Sequence, residues 1–127
     1  MDIPILYEDE AVVVIDKPVG VVCNRAVTVK VPTLQDWWES RYKVTSGESK
    51  TEDERYFSER SGLVHRLDKE TSGVMIMAKT TAAFVELLRQ FREREVQKTY
   101  MALTHGLWKV PVGEISLPIG RRTDNRQ

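Results

Sequence analysis

Between Ser61 and Lys79 a charged turn is wedged between two apolar segments, and this stretch limits the fold more than any other part of the chain. Leu63 and Val64 lead into His65-Arg66-Leu67-Asp68, and Lys69-Glu70-Thr71-Ser72-Gly73 is a run of turn formers. Val74 to Ala78 then follows without a polar residue, the pattern of a strand buried on both faces. Asp68 is thereby placed in a loop between two extended segments. Small polar residues and Gly73 pin its backbone while its side chain stays available, and loops on a rigid scaffold are where chemistry tends to sit. Residue types alone also admit a structural reading, and on them alone it takes precedence. Asp68 would start an Asx turn completed by Thr71, Ser72 and Gly73. Arg66 and Asp68, two apart on an extended backbone, would share a face as an ordinary ion pair.

Upstream, Ile3 to Tyr7 and Ala11 to Ile15 read as short strands around the acidic turn Glu8-Asp9-Glu10. Asp16-Lys17-Pro18-Val19-Gly20 is a reversal, since Pro fixes φ and Gly tolerates positive φ. Lys17 is given a structural role first and a phosphate contact second. Thr33 is a good helix N-cap, and Leu34, Trp37, Trp38 and Tyr42 recur at helical spacing, which predicts a helix over about 33–42. The tryptophan pair could stack bases, but at this spacing it is read as core. Residues 43–60 turn polar and charged and are expected to form a long surface loop. Downstream, Thr80 or Thr81 caps a predicted helix to about residue 94, with Phe84, Leu87, Leu88 and Phe91 as its apolar stripe. Arg89, Arg92 and Arg94 lie on or near its other side. They could face phosphates, or form a solvated face with Glu93 and Glu95. Gln97 to Thr104 reads as a strand with Lys98 and Tyr100 on one face, and Gly113 to Leu117 as a last short strand. The expected class is α+β: a mixed, mainly antiparallel sheet with two main helices.

A chain of 127 residues is one domain's worth or less, and at that length it can bury roughly two-thirds of its unfolded surface. The apolar run Ala11 to Ile15 is too short to span a bilayer, and no basic-then-apolar leader precedes it, so no signal peptide is expected. Cys23 is alone, which excludes an internal disulfide and suits a reducing cytosol. One Cys and two His give no metal-ligand spacing. Net charge is zero, but its distribution is uneven. Residues 1–59 hold 7 Lys/Arg against 12 Asp/Glu, whereas residues 60–127 hold 12 against 7. The basic half carries Asp68, and charge alone leaves open whether it is a solvated helix face with a basic tail or the side an RNA partner would approach.

His65-Arg66-Leu67-Asp68-x-x-Thr71-Ser72-Gly73, five apolar residues and Lys79 together resemble the signature of the RluA-type pseudouridine synthases, uridine isomerases of ribosomal and transfer RNA. Ile5 to Glu10, Val12 to Ile15, Lys17-Pro18-x-Gly20, Phe91 to Tyr100 and Pro118-Ile119-Gly120-Arg121 are similar to that family in the same order. The resemblance covers nearly all of the chain except about residues 43–60. It implies that Asp68 is the essential carboxylate and that Arg66 fills the gap left by a flipped nucleotide. It also implies that Tyr100 packs on the target base, as a candidate for the C5 proton step. His65 and Thr71 are expected to support the substrate site, and Lys17, Arg89, Arg92, Arg94 and Lys98 are candidate RNA backbone contacts. The expected partner is ribosomal or transfer RNA, for a cytoplasmic protein that is monomeric at full length. No membrane, cofactor or metal is implied.

One departure stands out. The family pattern continues with further strands and a Gly-Arg-Thr-His-Gln-Ile-Arg-like motif that supplies a basic partner for the catalytic Asp, and residues 1–127 do not contain it. The chain is therefore expected to be the N-terminal portion of a catalytic domain. A partly buried Asp68 without its partner would be poorly poised, leaving this portion inactive or barely active alone. The alternative is a non-catalytic RNA-binding fragment or remnant of such an enzyme.

Overall fold

The computed structural model describes residues 1–42, 51–107, 109–118 and 120. The chain divides into two units, Met1–Gln97 and Lys98–Gln127. The first holds every regular element, in the order β1 (Ile5–Glu8), β2 (Val12–Lys17), α1 (Leu34–Arg41), α2 (Glu52–Arg60), β3 (Gly73–Ala78) and α3 (Thr81–Arg92). The strands form one antiparallel sheet in the order β1-β2-β3, so the expected α+β architecture is the one observed.

Asp9 makes the β1–β2 turn. Its carboxylate accepts from the N–H groups of Ala11 and Val12, each at 2.8 Å. The Val12 bond, then that of Ala11, holds its carboxyl below the usual range. β2 runs against β3 from Val12↔Ala78 to Lys17↔Gly73. Strand alternation sends Val13, Ile15, Met75 and Met77 to one face, where they are buried with Leu34, Trp38, Leu63 and Leu67. Trp38 is fully buried with its ring centroid 4.1 Å from that of Tyr42, consistent with the core reading of the tryptophans. On the other face Ala78 and half-buried Ile76 meet Phe57, Phe84, Leu87, Leu88 and Phe91. Burial on both faces holds only for the second half of β3, because Val74 is 63% exposed.

Among the described residues, three helices replace the two expected. α1 and α3 begin at Thr33 and Thr80, whose hydroxyls accept from Asp36 N and Ala83 N. α2 corrects the reading of residues 43–60 as loop, while 43–50 lie outside the described residues. Its apolar content is too slight for a periodicity argument, since Phe57 is its only buried residue. The legible signal was the capping box: Thr51 and Glu54 bond each other's backbone N–H at 3.2 and 3.1 Å.

In the second unit the expected strands at 97–104 and 113–117 are not formed. A strand exists through its partner, and none pairs with either segment among the described residues. Met101 and Leu103, apolar and alternating as a strand requires, are fully exposed.

Candidate active site

Val64 to Lys69 runs along the core, and its middle residues, Arg66 to Asp68, alternate between outward and inward. Leu67 is buried, whereas Arg66 and Asp68 on either side of it turn outward, their side chains 71% and 86% exposed. The alternation follows from an extended backbone, and it is fixed by contacts on the inward side. Before Arg66, the Nε2 of His65 accepts from Ile76 N–H of β3 at 3.1 Å, and its ring stacks on Phe91 of α3 with centroids 4.7 Å apart. Between the two outward residues, Cys23 Sγ–H donates to the carbonyl of Leu67 at 3.1 Å. After Asp68, the carbonyl of Lys69 accepts from Gly20 N–H at 2.8 Å and Lys17 Nζ at 3.4 Å. Thr71 N–H closes the turn onto the carbonyl of Asp68 at 3.1 Å, which makes Asp68 the first residue of a β-turn.

The expectation of a partly buried Asp68 is thereby corrected. Its carboxylate is on the surface, with Arg66 Nη2 at 3.9 Å, a distance at which an exposed pair contributes ~0–1 kcal/mol. Both side chains can reorient toward a ligand without disturbing the backbone that carries them.

Lys17 is not a phosphate contact. It is fully buried, and its ammonium donates to the carbonyls of Pro18 and Val21 at 2.9 Å each, as well as to Lys69. Its structural role is the one observed, tying the β2 reversal to the Asp68 turn. Lys17→Met keeps the volume but orphans the carbonyls it serves, while relieving the cost of a buried cation. At ~1–3 kcal/mol for each buried polar group left unpaired, a net loss of about 1–3 kcal/mol is expected in urea unfolding. An unchanged midpoint would show that water replaces the ammonium without penalty.

Arg89 is enclosed by Glu86, Glu93 and Glu95. Hydrogen bonding to Arg89, then to Gln90, holds the Glu86 carboxyl down at about 2. A guanidinium so engaged has little to offer a phosphate. Arg92 is open apart from Glu93 at 3.8 Å, and Arg94 sits exposed at a positive φ of 60°. In the second unit, Lys98 and Tyr100 are exposed, Tyr100 by 59%. The sequence does not announce Cys23 as a backbone anchor of the site, nor Gly62, which seats the segment against β3. The signal for Gly62 was its place directly after Ser61 at the end of a helix whose cap was legible.

Comparison with known proteins gives the family. The sequence model described as RNA pseudouridylate synthase matches residues 11–126. An uncharacterized RNA pseudouridine synthase of Aquifex aeolicus is 40% identical over 125 residues, covering 98% of this chain and 37% of that protein. Ribosomal large subunit pseudouridine synthase D of Neisseria meningitidis serogroup B is 39% identical over 127 residues, covering 99% and 31%. Human RNA Pseudouridylate Synthase Domain Containing 4, a solved structure, is 28% identical, with a TM-score of 0.49 over 72% of this chain and 30% of that one. The chain spans about a third of the length of the curated relatives it matches. With a family match across nearly its whole length and the His-Arg-Leu-Asp turn held outward as described, the chain belongs to the RNA pseudouridylate synthase family.

Proposed function

We propose that the full-length protein isomerises uridine to pseudouridine in RNA, with the Asp68 carboxylate as its essential group. The observation that carries this reading is the outward Asp68 beside Arg66 on a backbone anchored at residues 65, 67 and 69. The reaction breaks the N1–C1′ bond, turns the base and joins C5 to C1′, after which C5 loses its proton and N1, freed of the sugar, gains one. It needs neither electrons nor a group donor. An ionised carboxylate can attack C1′ or remove a sugar proton to give a glycal, and a preorganised position favours either. Arg66 occupies the gap left by the flipped nucleotide, where a planar cation offsets lost stacking. His65 and Thr71 hold the turn, and Tyr100 faces the target base and serves the C5 proton step. Arg92, Arg94 and Lys98 contribute backbone contacts.

Ribosomal RNA is the substrate class suggested by the name of the Neisseria relative, and transfer RNA is the other within the reading. The site of action is the cytoplasm. Residues 1–127 lack the family motif that supplies a basic partner for the carboxylate, so alone they are expected to be inactive or nearly so. Among the described residues, no helix is long and apolar enough to cross a membrane.

The test is tritium release from RNA carrying C5-labelled uridine, comparing the full-length protein with the 127-residue chain. Release by the former and little or none by the latter is expected. No release by the full-length protein from ribosomal or transfer RNA lacking its own modifications would overturn the assignment.

A further inference from the structure

Next to the Asp68 turn lies a cavity of about 210 Å³ that the chemistry above does not use. It opens between residues 22–29 and the outward segment of the site. Buried Cys23 and Leu67 form its base, and half-buried Val22 and Val29 its sides. Three cations, Arg25, Arg66 and Lys69, stand at its exposed margin.

Its walls are fixed in advance. Leu34 N–H and Gln35 N–H at the start of α1 donate to the carbonyls of Val22 and Cys23 at 2.8 and 3.0 Å. Gln35 Oε1 accepts from Arg25 N–H at 3.2 Å, while its amide nitrogen donates to Ser61 Oγ at 2.9 Å. Val29 N–H closes a turn onto the carbonyl of Ala26. The three cations are not equivalent. Arg25 is paired with Asp36 and Glu39, which fixes its guanidinium plane and balances its charge. Arg66, with Asp68 at 3.9 Å, is the side chain assigned above to the gap left by the flipped nucleotide, whereas Lys69 has the exposed Glu70 carboxylate at 3.7 Å and can exchange it for a phosphate.

We propose that this cavity seats one unpaired nucleotide of the RNA strand, a neighbour of the uridine presented to Asp68. The proposal rests on the RNA-directed reading of the site. The apolar base and sides receive a nucleobase face, the fixed Arg25 plane lies beside it, and Lys69 takes a flanking phosphate. At about 210 Å³ the cavity is below the ~300–1,000 Å³ of drug-sized pockets, a scale suited to a single ring system. Guanidinium planes and apolar walls are what splayed-out RNA bases stack upon, and the arrangement is sequence-tolerant because every base has a π-face.

Two variants of the full-length protein test this by fluorescence anisotropy with labelled penta-uridylate. Ala26→Phe, at an exposed lining position, fills the space and is expected to weaken binding ~10-fold, the scale of one lost base contact. Lys69→Gln removes a marginal cation whose side chain is 59% exposed. It is expected to weaken binding severalfold and to flatten the salt dependence by about one phosphate contact. Wild-type affinity in both variants, or no binding of penta-uridylate by the wild type, overturns the proposal. Tritium release is read separately, so an enzyme that still isomerises structured RNA would lose only this seat. A protein that binds the oligomer through the cavity without releasing tritium would lose only the catalytic reading.

Discussion

Asp68→Asn in the full-length protein is expected to lower tritium release by about four orders of magnitude or more, the scale of losing a group that acts directly on the reacting atoms. RNA affinity should stay within a fewfold of wild type. The structure separates the two readouts. The carboxylate is 86% exposed, with Arg66 at 3.9 Å as its charged neighbour, so the substitution keeps shape and leaves no buried group unpaired. Surface changes of that kind stay within about 0.5 kcal/mol of wild-type stability, and urea unfolding of the 127-residue chain should show an unchanged midpoint. A loss of turnover therefore cannot be attributed to unfolding. Binding is not expected to fall, because removing a negative charge from a surface that meets phosphates relieves repulsion. The RNA-binding-remnant alternative makes the opposite forecast: the Asp68→Asn change would alter nothing measurable, and removal of Arg66 would weaken binding. Full activity in the Asp68→Asn variant would end the assignment of the carboxylate.

What the sequence disclosed follows a physical division. Elements whose cause is local were legible. Thr33 and Thr80 announce helix starts because a hydroxyl must meet a free N–H there, and Val12 to Ile15 pairs along β3 as its apolar character suggests. The outward pair Arg66 and Asp68 was also legible, since alternation is a property of any extended chain. What was not legible depends on partners distant in sequence. A structural role for Lys17 was legible from its place in the Pro-Gly reversal, but its full burial was not. Its burial comes from carbonyls at residues 18, 21 and 69, the last of them 52 residues away. Strand character at 97–104 was read from alternation alone, but a strand also requires a neighbour, and the described residues supply none. α2 escaped because Phe57 is its only buried residue, and its edge-on contact with Phe84 at 5.5 Å, like that of exposed Tyr56, is made with a helix distant in sequence.

The largest effect on stability is expected from Gly62→Ala, a change of one methyl group. Ser61 and Gly62 end α2 with consecutive left-handed residues, at φ of 51° and 74°, and Gly62 N–H returns to the carbonyl of Phe57 at 3.1 Å. This turn presses the chain against the outer edge of β3, where Ala78 N–H donates to the Gly62 carbonyl at 2.9 Å and Leu63 bridges Met77. A Cβ on residue 62 would stand 2.1 Å from the carbonyl oxygen of Ala78 and 3.2 Å from its carbon. Both are backbone atoms of a hydrogen-bonded strand and cannot swing aside as a side chain could. Relief requires the turn to lift from β3, which breaks the Ala78 bond and carries residues 63–69 with it. Left-handed strain alone costs ~1–2 kcal/mol; with the lost contacts the total should reach about 4 kcal/mol or more, in the range reserved for named structural faults. That is a large share of the ~5–15 kcal/mol that holds a domain together. Gly20→Ala is the matched control. Its φ is 85°, but nothing lies within 4 Å of the added Cβ, so it should show the strain alone, about 1 kcal/mol in urea unfolding. If Gly62→Ala costs no more than Gly20→Ala, the turn is not pressed on β3 as described. The anchored presentation of Asp68 would then need another cause.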